Sequence, residues 1–213
     1  NNQLVELDVS GCSSLVDLTC NFNGLTSLDM SNCTYLEDLY CVCNELTSIK
    51  VSNLENLRFL NCIDNKLASI DVSGCTVLEL FSVGQNQLTS LDLSGYAHLR
   101  DISCFENQLT SLKVTGCRNL EFLNCENNKL TSLDASDCAV LNQISCGNND
   151  LTSLDLPSSG GLIDLFCSHN QLTSLDVSSQ PELMELHCVN NQLTDLNVNG
   201  CARLWTLNCS DNL

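Results

Sequence analysis

The stretch LNCENNKLTSLDASDC, Leu123 to Cys138, holds two cysteines, an Asn-Asn pair and two aspartates, and alone it suits a metal site, a disulfide loop or ordinary core. The rest of the chain decides between them. Leucines at 4, 25, 46, 67, 88, 109, 130, 151, 172 and 193 are all 21 residues apart, so the stretch belongs to an array of ten in-register copies, and this period organises the chain. Numbered from that leucine, position 12 is Leu in every copy, from Leu15 to Leu204. Position 20 is always Asn: Asn23, Asn44, Asn65, Asn86, Asn107, Asn128, Asn149, Asn170, Asn191 and Asn212. The unit is LTSLDVSGCxxLxxLxCxxNx, no insertion interrupts it, and residues 1–213 are expected to form a single solenoid.

The composition agrees with a folded, aliphatic chain. Hydrophobic residues make up 43% and aromatics only 5%, so Leu, Val, Ile and Cys must build the core. A formal charge of −18, from 26 acidic against 8 basic residues, repels nucleic acids and anionic lipid, so neither is expected as a partner. No apolar run approaches the roughly 18 residues that span a bilayer, and NNQLVELDVS has no signal-peptide character.

The segment from position 12 to the next copy's Leu, as in LEDLYCVCNEL (Leu36 to Leu46), resembles the leucine-rich repeat pattern L-x-x-L-x-L-x-x-N/C-x-L over the whole chain. Cys replaces the third Leu in nearly every copy. Each unit also splits into two similar halves, L-x-x-L-x-V-x-x-C and L-x-x-L-x-C-x-x-N, which resembles the short bacterial class with nested 10/11-residue half-repeats. The resemblance implies a mainly β, right-handed solenoid of ten coils with little or no helix. It also implies a non-enzymatic protein-interaction scaffold, expected to be a bacterial surface or secreted module for adhesion or recognition.

Alternation at positions 15 and 17 sends two side chains inward and leaves 14, 16 and 18 outside, which predicts one parallel sheet along the solenoid. Alternation at positions 4 and 6 predicts short strands or irregular segments on the opposite wall. At about 4.8 Å per coil, ten coils make a rod of roughly 50 Å, gently curved because neither wall carries helices. A buried Asn column can persist only if every amide is hydrogen-bonded, so the ten asparagines are expected to be a structural ladder.

Fifteen of the 16 cysteines fall at position 17 or position 9, where Val83, Leu54 and Tyr96 stand in for Cys in other copies, so they are expected to be core. Stacked Cβ vectors point the same way, which disfavours disulfides between coils. Cys43 stands outside both columns and is the expected exposed thiol. His98, His169 and His187 share no repeat position. No nucleophile–base–acid set, phosphate loop or metal motif can be assembled, so no enzyme activity and no cofactor are expected. The Asp8, Asp29, Asp71, Asp92, Asp134, Asp155 and Asp176 column, interrupted by Lys50 and Lys113, is expected to be a solvated face, with incidental Ca²⁺ binding as the other option.

Function is expected where the fold leaves residue choice free. Positions 2, 3, 5 and 7 barely vary, whereas 13, 14, 16, 18 and 19 do. The variable set places Tyr40, Phe59, Ile63, Leu80, Phe105 and Phe122 on one candidate protein-binding face. Phe166, Met184, His187 and Trp205 form a second cluster towards the C-terminal end. Neither end reads as a cap, so the chain is expected to be part of a longer protein, monomeric, with end-to-end association through the open ends as the alternative. An extracellular or cell-surface location is expected, with the cytoplasm as the alternative because of the many thiols. A carbohydrate- or ligand-binding module of a surface enzyme, or an intracellular scaffold, are the competing functions.

Overall fold

The computed structural model describes residues 3–213, so Asn1 and Asn2 of the expected first-repeat boundary lie outside it. In every coil, positions 14 to 16 form a three-residue strand, beginning with Asp17–Thr19, Asp38–Tyr40 and Phe59–Asn61 and ending with Thr206–Asn208. Ten such strands pair in parallel, each with the coil before and after it, into one sheet in sequence order. The register is unslipped: Phe59 faces Leu80, Leu80 faces Asp101, and Phe122 faces both Asp101 and Gln143. Identical 21-residue spacing forces this register, because a slip by one residue would turn the Leu column out of the core. No helix occurs among the described residues.

Positions 1, 4, 12, 15 and 17 contribute to one continuous hydrophobic cluster, with Leu25, Leu36, Leu39 and Cys41 at 0% exposure and their repeats from the second coil to the ninth at no more than 1%. Phe81 takes the place of Leu at position 15 and is likewise fully buried. The opposite wall is thinner. Its strands at positions 3 to 5 pair only in twos, Ser27–Asp29 with Ser48–Lys50, Ser90–Asp92 with Ser111–Lys113, Ser132–Asp134 with Ser153–Asp155, and Ser174–Asp176 with Asp195–Asn197.

Position 20 closes the turn after each main strand. The Asn128 amide donates to the carbonyls of Cys125, Glu126 and Cys104 at 3.1, 3.2 and 3.0 Å, while its oxygen accepts the Leu109 N–H at 2.9 Å. One side chain therefore ties together the start and end of its own coil and the coil before. The same pattern recurs from Asn44 to Asn191, each at most 9% exposed.

Two sequence expectations need correction. Position 19 was expected to be a free place on the strand face, yet it adopts a left-handed backbone in all ten coils, with φ between 49° and 57°. The strand ends at position 16 and the chain turns at 19, so Ile63 and Phe105 at position 18 sit on the shoulder of the turn, beyond the strand. Cys43 was expected to be the exposed thiol. It is only half-buried, while Cys12 and Cys209, on the first and last coils described, are the exposed ones because no neighbouring coil covers them.

The position 9 column is more than apolar filler. The thiols of Cys75, Cys117 and Cys201 each donate to the position 6 carbonyl of the preceding coil at 3.1 Å. Where Cys is missing, another donor can take over: the Tyr96 hydroxyl reaches the same position 6 carbonyl, Val72, at 2.8 Å, and the fully buried Gln180 amide reaches the next carbonyl along, Pro157 at position 7, at 2.6 Å. Leu54 is the apolar exception, so a donor is usual at this position but not required.

Candidate protein-binding face

The outer face of the ten-stranded sheet is built from positions 14 and 16, two columns about 7 Å apart along each strand whose neighbours repeat about every 4.8 Å. Column 14 runs Asp17, Asp38, Phe59, Leu80, Asp101, Phe122, Gln143, Asp164, Glu185, Thr206. Phe59 and Leu80 are side by side and half-buried, and Phe122 is 44% exposed one strand beyond Asp101. Of the sequence-derived set, the structure thus brings Phe59, Leu80 and Phe122 into one row. Tyr40 is half-buried in column 16, where its cross-strand neighbours are Thr19 and Asn61.

Several of these side chains also have local partners. The Arg58 guanidinium lies over the Phe59 ring, 5.3 Å from its centroid, and is held by Glu79 at 2.8 Å. The Phe105 ring covers Gly84, where an added Cβ would fall 2.5 Å from it, so this glycine is the seat of the ring. Phe166 and His187 face each other across adjacent strands with ring centroids 5.2 Å apart. Trp205, 75% exposed, is at position 13, beside the sheet with half-buried Met184 of the preceding coil and apart from the Phe166–His187 pair.

A feature the sequence reading missed flanks this face. Position 13 alternates in charge over five coils, Glu37, Arg58, Glu79, Arg100, Glu121, with ion pairs Arg58–Glu79 at 2.8 Å and Arg100–Glu121 at 3.0 Å. The alternation is visible as soon as column 13 is read down the 21-residue period. Beside it runs an open groove of about 690 Å³ lined by His98, Arg100, Glu121, Val140 and Gly161.

The acids of the two walls differ. On the opposite wall, Asp8, Asp29, Asp71, Asp92, Asp134 and Asp176 each accept the backbone N–H two residues ahead at 2.8 to 3.1 Å. These bonds, with bonds to the following Ser side chains, hold the carboxyls low. Asp92 is held down to about 2, where hydrogen bonds from Ser94 and Lys113 act together. The interrupting lysines are themselves partners, Lys50 to Asp29 at 2.7 Å and Lys113 to Asp92 at 2.9 Å. On the ten-stranded face the shift is reversed. Burial raises the carboxyls of Asp38, Asp101 and Asp164, with Asp17 adding to the effect at Asp38 and Glu185 at Asp164. Among the described residues, none of the three has an ion pair with Lys or Arg. Also among the described residues, no group of three or more His, Cys, Asp or Glu side chains is placed to hold a metal ion.

No family model matches the sequence, and no curated protein matches it. Solved structures do. A functional domain of InlJ from Listeria monocytogenes, described as including a cysteine ladder, is 32% identical with a TM-score of 0.75, over 96% of this chain and 51% of that one. YopM, a leucine-rich effector protein from Yersinia pestis, is 28% identical with a TM-score of 0.77, over 92% and 61%. An internalin, inlF, from Listeria monocytogenes has a TM-score of 0.80 at 22% identity, over 99% and 65%, and shows the fold alone. The chain spans about half the length of the InlJ domain it matches. Repeat period, coil geometry and these likenesses together make the chain a leucine-rich-repeat solenoid of 21-residue units, of the kind found in bacterial proteins.

Proposed function

We propose that the chain is a non-enzymatic protein-interaction scaffold that presents the outer face of its ten-stranded sheet to a protein partner. The observation that carries this is the row Phe59, Leu80 and Phe122, apolar side chains held at fixed spacing on a rigid sheet where the repeat does not require them. Aromatic anchors on a preorganised surface contribute much of the energy of protein recognition. Likeness to internalin structures from Listeria supports placing the module in a bacterial surface or secreted protein engaged in adhesion or recognition. The many thiols do not argue against that location. Most are buried, and a protonated, shielded thiol is inert in an oxidising compartment as in a reducing one.

The test compares wild type with the Phe59→Ala/Phe122→Ala double variant as baits against host-cell surface proteins. The expected result is a partner retained by wild type, bound at least 10-fold more weakly by the variant, with both melting within about 2 °C of each other. A partner bound equally by both proteins would refute the assignment of this face.

A further inference from the structure

The outer face of the ten-stranded sheet carries charge of essentially one sign. All eight Lys and Arg residues of the chain, Lys50, Arg58, Lys66, Arg100, Lys113, Arg118, Lys129 and Arg203, fall at positions 5, 10, 11, 13 and 21. None falls at 14, 16, 18 or 19. The two guanidiniums at the margin are each tied to an acid, Arg58 to Glu79 and Arg100 to Glu121, and Arg58 also lies over the Phe59 ring. Among the described residues, the acids on the face, Asp17, Asp38, Asp101, Asp164 and Glu185 in column 14, form no ion pair with Lys or Arg; Arg58 acts on Asp38 only from a distance, and His187 lies 3.8 Å from Glu185. On the opposite wall, by contrast, backbone N–H groups or lysines satisfy nearly every carboxylate.

Resting on the function proposed above, we infer that the partner is a cationic protein segment, an extended stretch with the pattern basic–x–apolar–x–basic that lies along the solenoid axis. The spacing supports this pattern. Asp38, Phe59, Leu80 and Asp101 are successive strand neighbours, so the two carboxylates bracket the apolar pair across three strand steps, about 14 Å. Residues i and i+4 of an extended chain are also about 14 Å apart, with the side chain at i+2 on the same side. Burial by the fold has already stripped part of the hydration from Asp38 and Asp101, so an incoming ammonium or guanidinium meets carboxylates whose desolvation is partly complete. Charge on such a face sets specificity and association rate, while the apolar pair contributes the burial.

The experiment selects binders from a random-sequence displayed peptide library on the wild-type chain, then measures the enriched synthetic peptides against three variants. The expected result is enrichment of peptides with two or more Lys or Arg alternating with aromatic or aliphatic residues. Their binding should weaken at least 10-fold in Asp38→Asn/Asp101→Asn, and also in Phe59→Ala/Phe122→Ala, but stay unchanged in Asp134→Asn on the opposite wall. Enriched peptides without a basic excess, lost only in the Phe59/Phe122 variant, would overturn the cationic partner while leaving the face assignment intact. Peptides indifferent to both face variants, or no enriched peptides, would overturn both.

Discussion

Raising the pH above about 9 should unfold this protein through its own cysteine columns. Burial pushes the thiols of Cys20, Cys125 and Cys138 up to about 12 and those of Cys117 and Cys188 up to about 11. Burial also holds Cys104, Cys146 and Cys167 well above the usual thiol range, and contact with Cys62 followed by burial does the same for Cys41. In the unfolded chain each thiol ionises near 8.5. Because the folded values are raised, the stability these groups contribute is complete below about 8.5 and is lost as pH climbs towards the folded values. At pH 9.5 a thiol that ionises only when unfolded costs the native state about 1.4 kcal/mol, and nine of them about 13 kcal/mol. That is comparable to the whole stability of a typical domain, about 5–15 kcal/mol. The assay is urea unfolding followed by circular dichroism from pH 7.5 to 10, with thiolate absorbance read in parallel. Loss of structure and the appearance of thiolate should coincide. Substituting Cys104→Val or Cys125→Val, after the Val83 that naturally fills the same position, should each recover about 1.4 kcal/mol at pH 9.5 and little at pH 7.5. Thiolate absorbance from buried cysteines appearing near pH 9 in a chain that keeps its native dichroism would refute the reasoning.

Other substitutions probe the ladders one at a time. Asn128→Ala removes three donated bonds and one accepted bond from a buried site, and should cost about 3 kcal/mol by chemical denaturation. Gly84→Ala should destabilise by about 1–2 kcal/mol because its methyl enters the Phe105 ring, and adding Phe105→Ala should remove most of that penalty in a double-mutant cycle. Tyr96→Phe should cost about 1 kcal/mol for the lost bond to the Val72 carbonyl, whereas Tyr96→Cys, which keeps a donor, should show a smaller share of that loss attributable to hydrogen bonding.

How much of this was legible in the sequence follows from what a strict period can and cannot encode. The period specifies stacking, so the main sheet, the inward Leu and Cys columns and the two unlike walls can be read from Leu36 to Leu46 repeated along the chain. A period does not specify where a strand ends. Position 19 varied in identity and therefore looked free, although Asp64, Asn127, Asn148, His169, Asn190 and Asp211 are the residue types that tolerate a left-handed backbone best. Variability there reflected tolerance of a turn, and Ile63 and Phe105 moved off the strand with it. Position 9 was misjudged for a related reason: Cys, Tyr and Gln look unrelated by size but each carries a hydrogen-bond donor, which Cys75 and Tyr96 aim at the position 6 carbonyl of the preceding coil and Gln180 at its position 7 carbonyl. The charge ladder from Glu37 to Glu121 was present in the sequence throughout, hidden because column 13 was weighed for its apolar members.

The central claim is that one wall of the solenoid recognises protein and the other does not. Photo-crosslinking groups placed singly at Phe59, Phe122, Ser90 and Ser132 test it most directly, since the first two project from the ten-stranded face and the last two from the opposite wall. In the presence of a partner, adducts should form from positions 59 and 122, and mass spectrometry should map them to one basic segment of that partner. Adducts from positions 90 and 132, with none from 59 and 122, would contradict the account.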